Sequence, residues 1–318
     1  MSLSNDNVGL VDPFGLSDED GYTWLKGNLH SHSTNSDGRV SPQERLDGYV
    51  GQGYDFLCLS DHDNITPVQS VSAPDPFVLV EGVELHPSNP FGGQVHHFLA
   101  LDVHEDISAR SMPPQHVIDA VLEQGGSIWL AHPHWSSVNI MRDTLPLRGL
   151  AGVEVFNSTC RSAARGESSI HWDDWMEQEN RIYPCLANDD SHDHPDADRD
   201  TYHSWTMVRV KERTPEALAE AMVNGSSYGS TGPEIHDIRL EKVDEDDRGN
   251  AIVDATVRCS EAQRIAAVMN RVGREYRQDE TFEEATIRMR PGALWVRFEI
   301  IGPDGSKAWS NPFDLTVF

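Results

Sequence analysis

The sequence predicts an α/β protein in which a (β/α) barrel is followed by a smaller β-rich domain. Strand and helix patterns alternate from about residue 22 to residue 232, and this alternation indicates parallel strand–helix–strand units. Polar side chains recur just after these strands, and a barrel builds its active site at those strand ends. An open doubly wound sheet would collect them at one crevice instead, so their spread along the chain favours a barrel.

From Ile235 onward the pattern changes to strand-type alternation broken by turns such as Asp304-Gly305. No capped helix is visible in this part of the sequence, which indicates a small β-sandwich. We therefore expect three parts: an N-terminal extension at 1–21, the barrel at 22–232 and the β-rich domain at 233–318.

Composition excludes several classes of function. The 318 residues carry 52 acidic and 25 basic side chains, and the resulting net charge of −27 repels nucleic acid and anionic membranes. We expect no extended nucleic-acid surface. We also expect no membrane span, since no run of about 18 apolar residues occurs, and no signal peptide, since the N-terminus is acidic. The four cysteines are widely spaced, and two of them sit inside apolar strand patterns, where buried free thiols are expected; a cytoplasmic location is the corresponding expectation.

Two histidines mark the start of the predicted site. The first strand, predicted at 22–29, leads directly into His30 and His32. Residues two apart on a strand share a face, so both imidazoles can point to one metal ion. A polar turn at 35–38 separates these histidines from the helix that follows.

That helix has a strong N-terminal signal, because Ser41 can cap it, Pro42 suits its first position and Glu44 completes a capping box. The helix ends near two glycines, and a second strand is predicted at 55–59. This strand–helix–strand unit therefore delivers a second set of metal-competent side chains at the same edge. The set consists of Asp61, His62 and Asp63.

The rest of the predicted barrel repeats this arrangement of strands followed by polar residues. Further strands are predicted at 77–80, 98–103, 183–187 and 205–210, and over the segments SIWLAHPHW and GVEVFN. Helices are predicted at 114–124, at 170–179 and from Pro215, which Thr214 caps, to Asn224. The polar side chains at or beyond these strand ends are Glu84, His132, His134, Asn157, Asp190 and His192.

Five motifs in this order resemble the PHP (polymerase and histidinol phosphatase) superfamily. They are H-S-H at 30–32, S-D-H-D at 60–63, G-V-E at 82–84, A-H-P-H at 131–134 and D-S-H at 190–192. The opening W-L-K-G-N-L-H-S-H-S-T-N-S-D-G is similar to the carbaryl-hydrolase-like branch. The resemblance implies a distorted seven-stranded (β/α) barrel that carries two or three divalent metal ions.

The resemblance also implies three groups of metal ligands. The first group is His30, His32, Glu84 and Asp190. The second group is Glu84, as a bridging ligand, with His97 and His132. The third group is Asp37, His62 and His192.

Three of these assignments rest on choices between residues or on a departure from the family. His97 is taken over His96 because Phe-Leu-Ala follows it, and Asp190 is taken over Asp189 because it opens the D-S-H motif. The family often has a histidine where Asp37 stands.

Imidazole and carboxylate ligands together suit zinc, manganese or iron(II) rather than calcium, and the absence of cysteine ligands argues against a closed structural zinc site. Two ions a few ångströms apart can share a water and lower its pKa, which gives a bridging hydroxide as nucleophile. His134 and His192 are candidates for the acid that protonates the leaving group. Asp61 is a further catalytic candidate, or else it orients ligands.

The predicted partner is a small-molecule substrate, and the sequence does not indicate an oligomeric state. Non-bridging oxygens of a phosphoester need donors, and the candidates on the predicted active-face loops are Arg39, Asn157, Arg161 and Arg165. Each arginine is equally well explained as surface charge. A carbamate, amide or carboxylic ester would need more apolar wall, for which Trp135, Phe156 and Trp172 are available. The superfamily is rich in phosphoesterases, which favours a phosphoester; a non-catalytic metal-stabilised binding module is the third alternative.

Overall fold

The computed structural model describes residues 9–88, 96–194, 199–270 and 272–318, without the side chains of Arg277 and Asp279. These ranges form a mixed α/β fold with many strands and few helices, so the predicted class is confirmed. The α-helices in them are α1 (Pro42–Gly51), α2 (Pro114–Glu123), α3 (Ser169–Glu179) and α4 (Pro215–Val223).

Helix α1 begins as its sequence predicts. The Ser41 hydroxyl accepts from the backbone N–H of Glu44, and the Glu44 carboxylate accepts from the backbone N–H of Ser41 at 2.9 Å. Thr214 caps α4 in the same way, by accepting from the backbone N–H of Ala217 at 3.2 Å. Local capping chemistry therefore fixes both helix starts.

The strands alternate with these helices in the first two thirds of the chain and dominate the last third. In chain order they are β1 (Thr23–Asn28), β2 (Phe56–Cys58), β3 (Val78–Val80), β4 (Gly82–Leu85), β5 (Phe98–Leu101), β6 (Ser127–Leu130), β7 (Gly152–Asn157), β8 (Cys185–Asn188), β9 (Trp205–Val210), β10 (Ser227–Ser230), β11 (Ile235–Glu245), β12 (Ala251–Met269), β13 (Val272–Arg288), β14 (Trp295–Ile301), β15 (Lys307–Ser310) and β16 (Phe313–Asp314). Short 3-10 helices lie at Pro13–Gly15, Asp18–Asp20, Val68–Ser70, Ala109–Ser111 and Thr159–Ala163, and a π-helical turn lies at Ile140–Thr144.

The described strands fall into two sheets. The larger runs in the order β11-β12-β14-β15-β10-β9-β1-β2-β3, with β13 beside β12 and β16 beside β14, and the smaller runs β4-β5-β6-β7-β8. Strand β5 is antiparallel to both of its neighbours, and β9 is antiparallel to β1 and β10. The expectation of parallel units throughout 22–232 is therefore wrong at these strands. Parallel pairing needs a crossover that returns the chain to the starting end, and strand periodicity does not reveal whether it does.

The two sheets meet where β1, β2 and β8 end. Ser31 forms a parallel bridge with Ser191, and His62 forms one with Glu84. The backbone N–H of His32 donates to the carbonyl of Ser191 at 2.9 Å. These contacts bring strand ends from both sheets to one edge, but they do not make one continuous ladder. The seven-stranded barrel therefore stays a prediction.

The C-terminal strands continue the larger sheet. Strand β15 pairs with β10 across the predicted boundary at 232/233, with Tyr228 opposite Ser310. Strand β12 has register shifts between Arg258 and Arg264, so its first half pairs with β11 and its second half pairs with β14. Both halves contribute to one apolar core. A separate sandwich domain at 233–318 stays a prediction, because its strands belong to the same sheet as β1.

A second apolar core lies beside the smaller sheet and includes Trp295 and Trp309 from the C-terminal strands. All four cysteines are buried and free. None of the described helices is long and apolar enough to cross a membrane.

Candidate metal centre

Four buried ligand atoms from the strand ends converge on one point. His30 Nε2 lies 3.3 Å from Glu84 Oε2 and 3.2 Å from Asp190 Oδ1, and His32 Nε2 lies 3.4 Å and 2.9 Å from the same two oxygens. Ligand atoms ~2.0–2.1 Å from a tetrahedral zinc ion lie ~3.4 Å from one another. The four atoms therefore have the spacing of a coordination shell. We call them the first group.

A second group shares Glu84. Its other oxygen, Oε1, lies 2.7 Å from His97 Nδ1 and 3.0 Å from His132 Nε2. One carboxylate thus faces two sets of histidines with its two oxygens. This is the geometry of a carboxylate that bridges two cations, and it places the predicted second ligand set together.

A third group lies at the more exposed side. Asp37 Oδ2 lies 3.3 Å from His62 Nε2, and Asp37 Oδ1 lies 3.4 Å from His192 Nε2. His32 Nδ1 stands 4.0 Å from Asp37 Oδ1, so that one imidazole faces both the first and the third group. All three ligand sets predicted from the sequence are brought together; their role as ligands stays a prediction.

The backbone around these groups is held in unusual conformations. His132 has φ 25° and Asp190 has φ 55°, in the left-handed region that non-glycine residues rarely adopt. A side chain at Gly38 would place its Cβ 2.5 Å from the His32 carbonyl carbon, so only glycine lets the turn approach. Such local strain is typical of functional sites, where the surrounding structure maintains it.

Glu154 is a buried site residue that sequence reasoning missed. Its Oε1 lies 3.0 Å from His30 Nδ1, and its Oε2 accepts from the backbone N–H of His132 at 3.0 Å. Hydrogen bonding of Nδ1 to a carboxylate fixes the tautomer and leaves Nε2 free for a metal. The available signal was an acidic residue inside the apolar segment GVEVFN, where burial demands partners.

His86 is a second residue at the centre that the sequence does not assign to a ligand group. Its ring centroid lies 4.5 Å from that of His62 and 4.1 Å from that of His97, and it can form a ligand group with His62 and Glu84. Its Nδ1 lies 2.8 Å from Asp63 Oδ2. Asp63, which directly follows His62, therefore orients a histidine at the edge of the centre.

Asp61 orients the turn that carries Asp37. Its carboxylate accepts from the Ser33 backbone N–H at 2.8 Å and from the hydroxyls of Ser33, Ser36 and Thr66. Both oxygens are occupied in this way and the residue is fully buried. This placement favours the predicted orienting role over the catalytic one.

Asn157 also orients ligands. Its amide nitrogen donates to Glu154 at 2.9 Å and to Asp190 Oδ2 at 3.1 Å, while its oxygen accepts from the backbone N–H of Cys160. The side chain is fully buried. These hydrogen bonds occupy the amide atoms that a substrate would meet and favour an orienting role for Asn157, whose predicted substrate contact stays a prediction.

Two other predicted residues lie outside the ligand groups. His134 Nδ1 donates to the carbonyl of Glu167 at 2.8 Å, and the ring centroid of His134 lies 5.5 Å from that of His171. Arg161 donates through Nε to the Ser158 carbonyl at 3.3 Å. His134 is thus less suited than His192 to protonate a leaving group at the centre.

The remaining predicted arginines lie on exposed loops at the rim. Arg39 pairs with Asp193 at 2.9 Å, and its backbone N–H donates to the carbonyl of His192. Arg165 donates through Nη1 to the Ser137 hydroxyl at 2.7 Å. Ser137 follows Ser136, whose hydroxyl lies 3.1 Å from His132 Nδ1. Both arginines therefore stand next to loops that carry ligands.

The structure distinguishes the two members of each adjacent pair of candidates, Asp189 with Asp190 and His96 with His97. Asp190 lies in the first group, whereas Asp189 accepts the backbone N–H groups of the loop at 202–204. His97 faces Glu84, whereas the ring of His96 stacks on Phe98 with centroids 5.2 Å apart. The geometry agrees with the choice of Asp190 and His97.

The charge state of the centre follows from its mixture of acids and histidines. Burial alone would lower the pKa of His62, but Asp37 and Glu84 raise it to about 10. Burial alone would raise the pKa of Glu84, but the surrounding histidines hold it well below its ordinary range. Burial lowers the pKa of His97 to about 4 despite Glu84. The Glu84 carboxylate is therefore held in its ionised form, which attracts cations.

Several of these atoms lack hydrogen-bond partners in the described part of the chain. They include His30 Nε2, His62 Nδ1 and Glu84 Oε2, all of them buried. Buried polar atoms are rarely left unsatisfied, and both histidine atoms face Glu84 Oε2, His30 Nε2 at 3.3 Å and His62 Nδ1 at 2.7 Å. A cation between them would satisfy all three, so the residues present fit divalent metal ions.

No family model matches the chain, and no curated protein matches it. Among solved structures, a two-domain protein from Bacteroides vulgatus that contains a predicted PHP-like metal-dependent phosphoesterase aligns over 98% of each chain, with a TM-score of 0.54 and 18% identity. The chain shares its fold with this protein.

Two further structures are similar over part of the chain. An amidohydrolase from Chromobacterium violaceum, with bound sulfate and no metal, aligns over 55% of this chain and 89% of its own, with a TM-score of 0.43 and 14% identity. PsfC from Pseudomonas syringae aligns over 64% of this chain and 89% of its own, with a TM-score of 0.40 and 15% identity.

Proposed function

We propose that this protein is a PHP-type metal-dependent hydrolase whose substrate is a small phosphoester. The observation that carries the proposal is the shared carboxylate of Glu84, which faces the first group with one oxygen and the second group with the other. Two or three zinc, manganese or iron ions would bind here, to the three groups described above. Divalent ions in these positions would supply an activated water and neutralise charge on the phosphoryl oxygens.

The chain's own residues fix the geometry of this centre. Glu154 orients the ring of His30 through Nδ1 and fixes the position of His132 through its backbone N–H. Asn157 holds Asp190, and Asp61 holds the turn before Asp37. Preorganisation of this kind lets a site stabilise developing charge without rearrangement.

Substrate would enter from the side of the third group, where the Asp37 side chain is 57% exposed. Arg39 and Arg165 stand at this rim and would contact the phosphoryl oxygens. His192, beside Asp37 and 24% exposed, is the predicted acid that lies within the ligand groups. These placements support entry of a small anionic group.

A second candidate function is hydrolysis of a carbamate, amide or carboxylic ester. The observation that favours it is Trp135, whose ring lies 5.2 Å from that of His132 and 5.5 Å from that of His97. This side chain is 42% exposed, so it offers an apolar wall directly beside the second group. An apolar substrate would gain more from this wall than a phosphate would.

The test is a substrate panel on purified protein loaded separately with zinc, manganese and iron(II). Phosphomonoesters and phosphodiesters are compared with aryl carbamates, anilides and carboxylic esters. The proposal predicts turnover of at least one phosphoester that chelation abolishes and metal restores. Turnover of a carbamate or ester with none of the phosphoesters would decide for the second function. No turnover by a metal-loaded, folded protein would favour the binding module.

A further inference from the structure

A fourth set of ligand atoms lies beside the three groups described above. One ligand atom each of His62, Glu84 and His86 lie within 4.8 Å of one another. We call this set the fourth group. His62 Nδ1 lies 2.7 Å from Glu84 Oε2, and both atoms are buried without a hydrogen-bond partner in the described part of the chain. Buried polar atoms are rarely left unsatisfied, which points to a ligand that meets both.

The His86 ring is held as a metal ligand would be. Its Nδ1 lies 2.8 Å from Asp63 Oδ2, and its backbone N–H donates to Asp63 Oδ1 at 2.9 Å. Arg110 Nε pairs with the same carboxylate at 2.7 Å. A carboxylate on Nδ1 fixes the tautomer and leaves the lone pair of Nε2 for a metal. His30 of the first group is held by Glu154 in the same way.

The ring of His62 faces two groups through its two nitrogens. Nε2 lies 3.3 Å from Asp37 Oδ2 of the third group, whereas Nδ1 lies 2.7 Å from Glu84 Oε2. A neutral imidazole has one nitrogen lone pair, so it binds a metal ion through only one nitrogen at a time. Glu84 sets no such limit, because an ionised carboxylate offers about four lone-pair sites. The third and fourth groups therefore compete for His62, whereas the fourth group can be filled beside the first and second.

We propose that one divalent cation alternates between the third group and the fourth group. His62 binds it through Nε2 in the third group and through Nδ1 in the fourth. Imidazole and carboxylate donors suit zinc, manganese or iron(II). The two positions differ in exposure, because the Asp37 side chain is 57% exposed and Glu84 is 1% exposed. This inference rests on the proposed function, for which it names two positions of the third ion and makes His86 a ligand.

The experiment measures zinc binding to the metal-free full-length protein, by elemental analysis after equilibration at a fixed free zinc concentration. Asp37→Ala removes a ligand of the third group. His86→Asn removes Nε2 and keeps an amide that can donate to Asp63. We expect each single variant to bind as many zinc ions as the wild type, because the ion occupies the group that is intact. The double variant should bind one ion fewer.

Three results would overturn the proposal. Loss of an ion in Asp37→Ala with no further effect of His86→Asn would show that the fourth group binds nothing. Loss of one ion in each single variant would show that both groups are filled at once. A double variant with the wild-type count would show that neither group holds the ion. Circular dichroism of every variant establishes that it is folded.

Crystals of Asp37→Ala grown with zinc give a second measurement, which does not need the double variant to fold. We expect an anomalous peak ~2.0–2.1 Å from His86 Nε2 and from His62 Nδ1, the usual distance for zinc on imidazole. Wild-type zinc content without a peak at this position would also overturn the proposal.

His104→Asn is the matched control, made in the Asp37→Ala background. His104 Nδ1 lies 2.7 Å from Glu81 Oε2, so this ring has the same carboxylate support, but it belongs to none of the ligand groups found among the described residues. Its side chain is 59% exposed. The zinc count should stay at that of Asp37→Ala. An ion lost here as well would assign the effect to histidines in general and overturn the proposal.

These measurements use no substrate, so the inference and the proposed function fail separately. The first and second groups should keep their ions in all of the variants. If the zinc counts follow the expected pattern and no phosphoester is hydrolysed, the alternating ion stands and the proposed function fails. If phosphoesters are hydrolysed and His86→Asn leaves the zinc count of Asp37→Ala unchanged, the proposed function stands and the alternating ion is wrong.

Discussion

At the scale of single residues, Glu84 has the largest expected effect. Its Oε2 faces His30 and His32, and its Oε1 faces His97 and His132. A ligand that faces one group, such as His132, should affect mainly that group. A carboxylate that faces two groups also offsets the repulsion between two neighbouring cations.

Glu84→Gln keeps the size of the side chain and removes this charge. We expect a folded variant in which two metal positions are depleted, because the charge that offsets the repulsion between the two cations is gone. The variant should be nearly inactive, because water between the two positions is then no longer activated. Elemental analysis gives the metal content and circular dichroism gives the fold. His132→Ala is the comparison, with loss expected mainly at one position. Unchanged metal content and activity in a well-folded Glu84→Gln variant would remove Glu84 from the centre.

Glu154 tests orientation rather than ligation. It accepts hydrogen bonds from the amides of Asn157 and Asn188, and it also contacts His30 Nδ1 and the His132 N–H. In Glu154→Gln one amide N–H₂ must face donors. We expect metal affinity to fall about 10–100-fold, the usual effect of losing a partner behind the ligands. Competition with a chromogenic chelator measures this, and wild-type affinity would show that Glu154 is purely structural.

The sequence was sufficient to predict which imidazoles and carboxylates lie together, because they recurred at strand ends in the order of the five motifs. It was insufficient for Glu154, Asn157 and Asp61, whose roles depend on which neighbour they face. Asp189 and Asp190 show the reason most simply. They are adjacent and chemically identical, yet one faces histidines and the other faces backbone N–H groups. Only the packed fold determines that choice.

At the scale of secondary-structure elements, the sequence predicts helix starts reliably, because capping depends only on residues within the first turn. The capping box of α1 and the cap of α4 are present as predicted. Strand direction was less predictable, because β5 and β9 have the same periodicity as parallel strands yet pair antiparallel. The sequence also does not predict the 19-residue length of β12, because its register shifts interrupt the alternation of apolar and polar residues.

Helix α1 links capping to the centre, because Arg45 on this helix donates to the His32 carbonyl at 3.0 Å. Ser41→Ala removes the cap and should lower the free energy of unfolding by about 1 kcal/mol. Chemical denaturation measures this, with Ser41→Asp, which can still cap, as the control. Metal content should be unaffected in both variants. Equal stability of Ser41→Ala and wild type would show that the cap contributes nothing.

At the scale of the whole molecule, the C-terminal strands are integrated with the rest. Buried Arg297 on β14 forms two hydrogen bonds to Asp173 on α3, each 2.7 Å long. Trp295 and Trp309 pack in the core beside the smaller sheet. The sequence does not reveal this packing. Its pattern changes near Ile235 from alternating strands and helices to strands alone, and that change resembles a domain boundary.

A fragment that ends at residue 232 would lose the partner of β10 and expose the core beside Trp309. We expect it to aggregate or to lack cooperative unfolding, because an open edge and an uncovered apolar face both favour association. Calorimetry and light scattering compare it with the full chain. A monomeric fragment with a sharp transition and full metal content would instead establish 22–232 as an independent domain.

The central claim, a metal centre built around Glu84, is tested most directly by anomalous diffraction from crystals grown with zinc, manganese or iron. We predict one peak ~2.0–2.2 Å from His30 Nε2, His32 Nε2 and the carboxylates of the first group, and a second peak beside His97 and His132. Fully supplemented crystals with no anomalous peak between Glu84 and these histidines would contradict the claim.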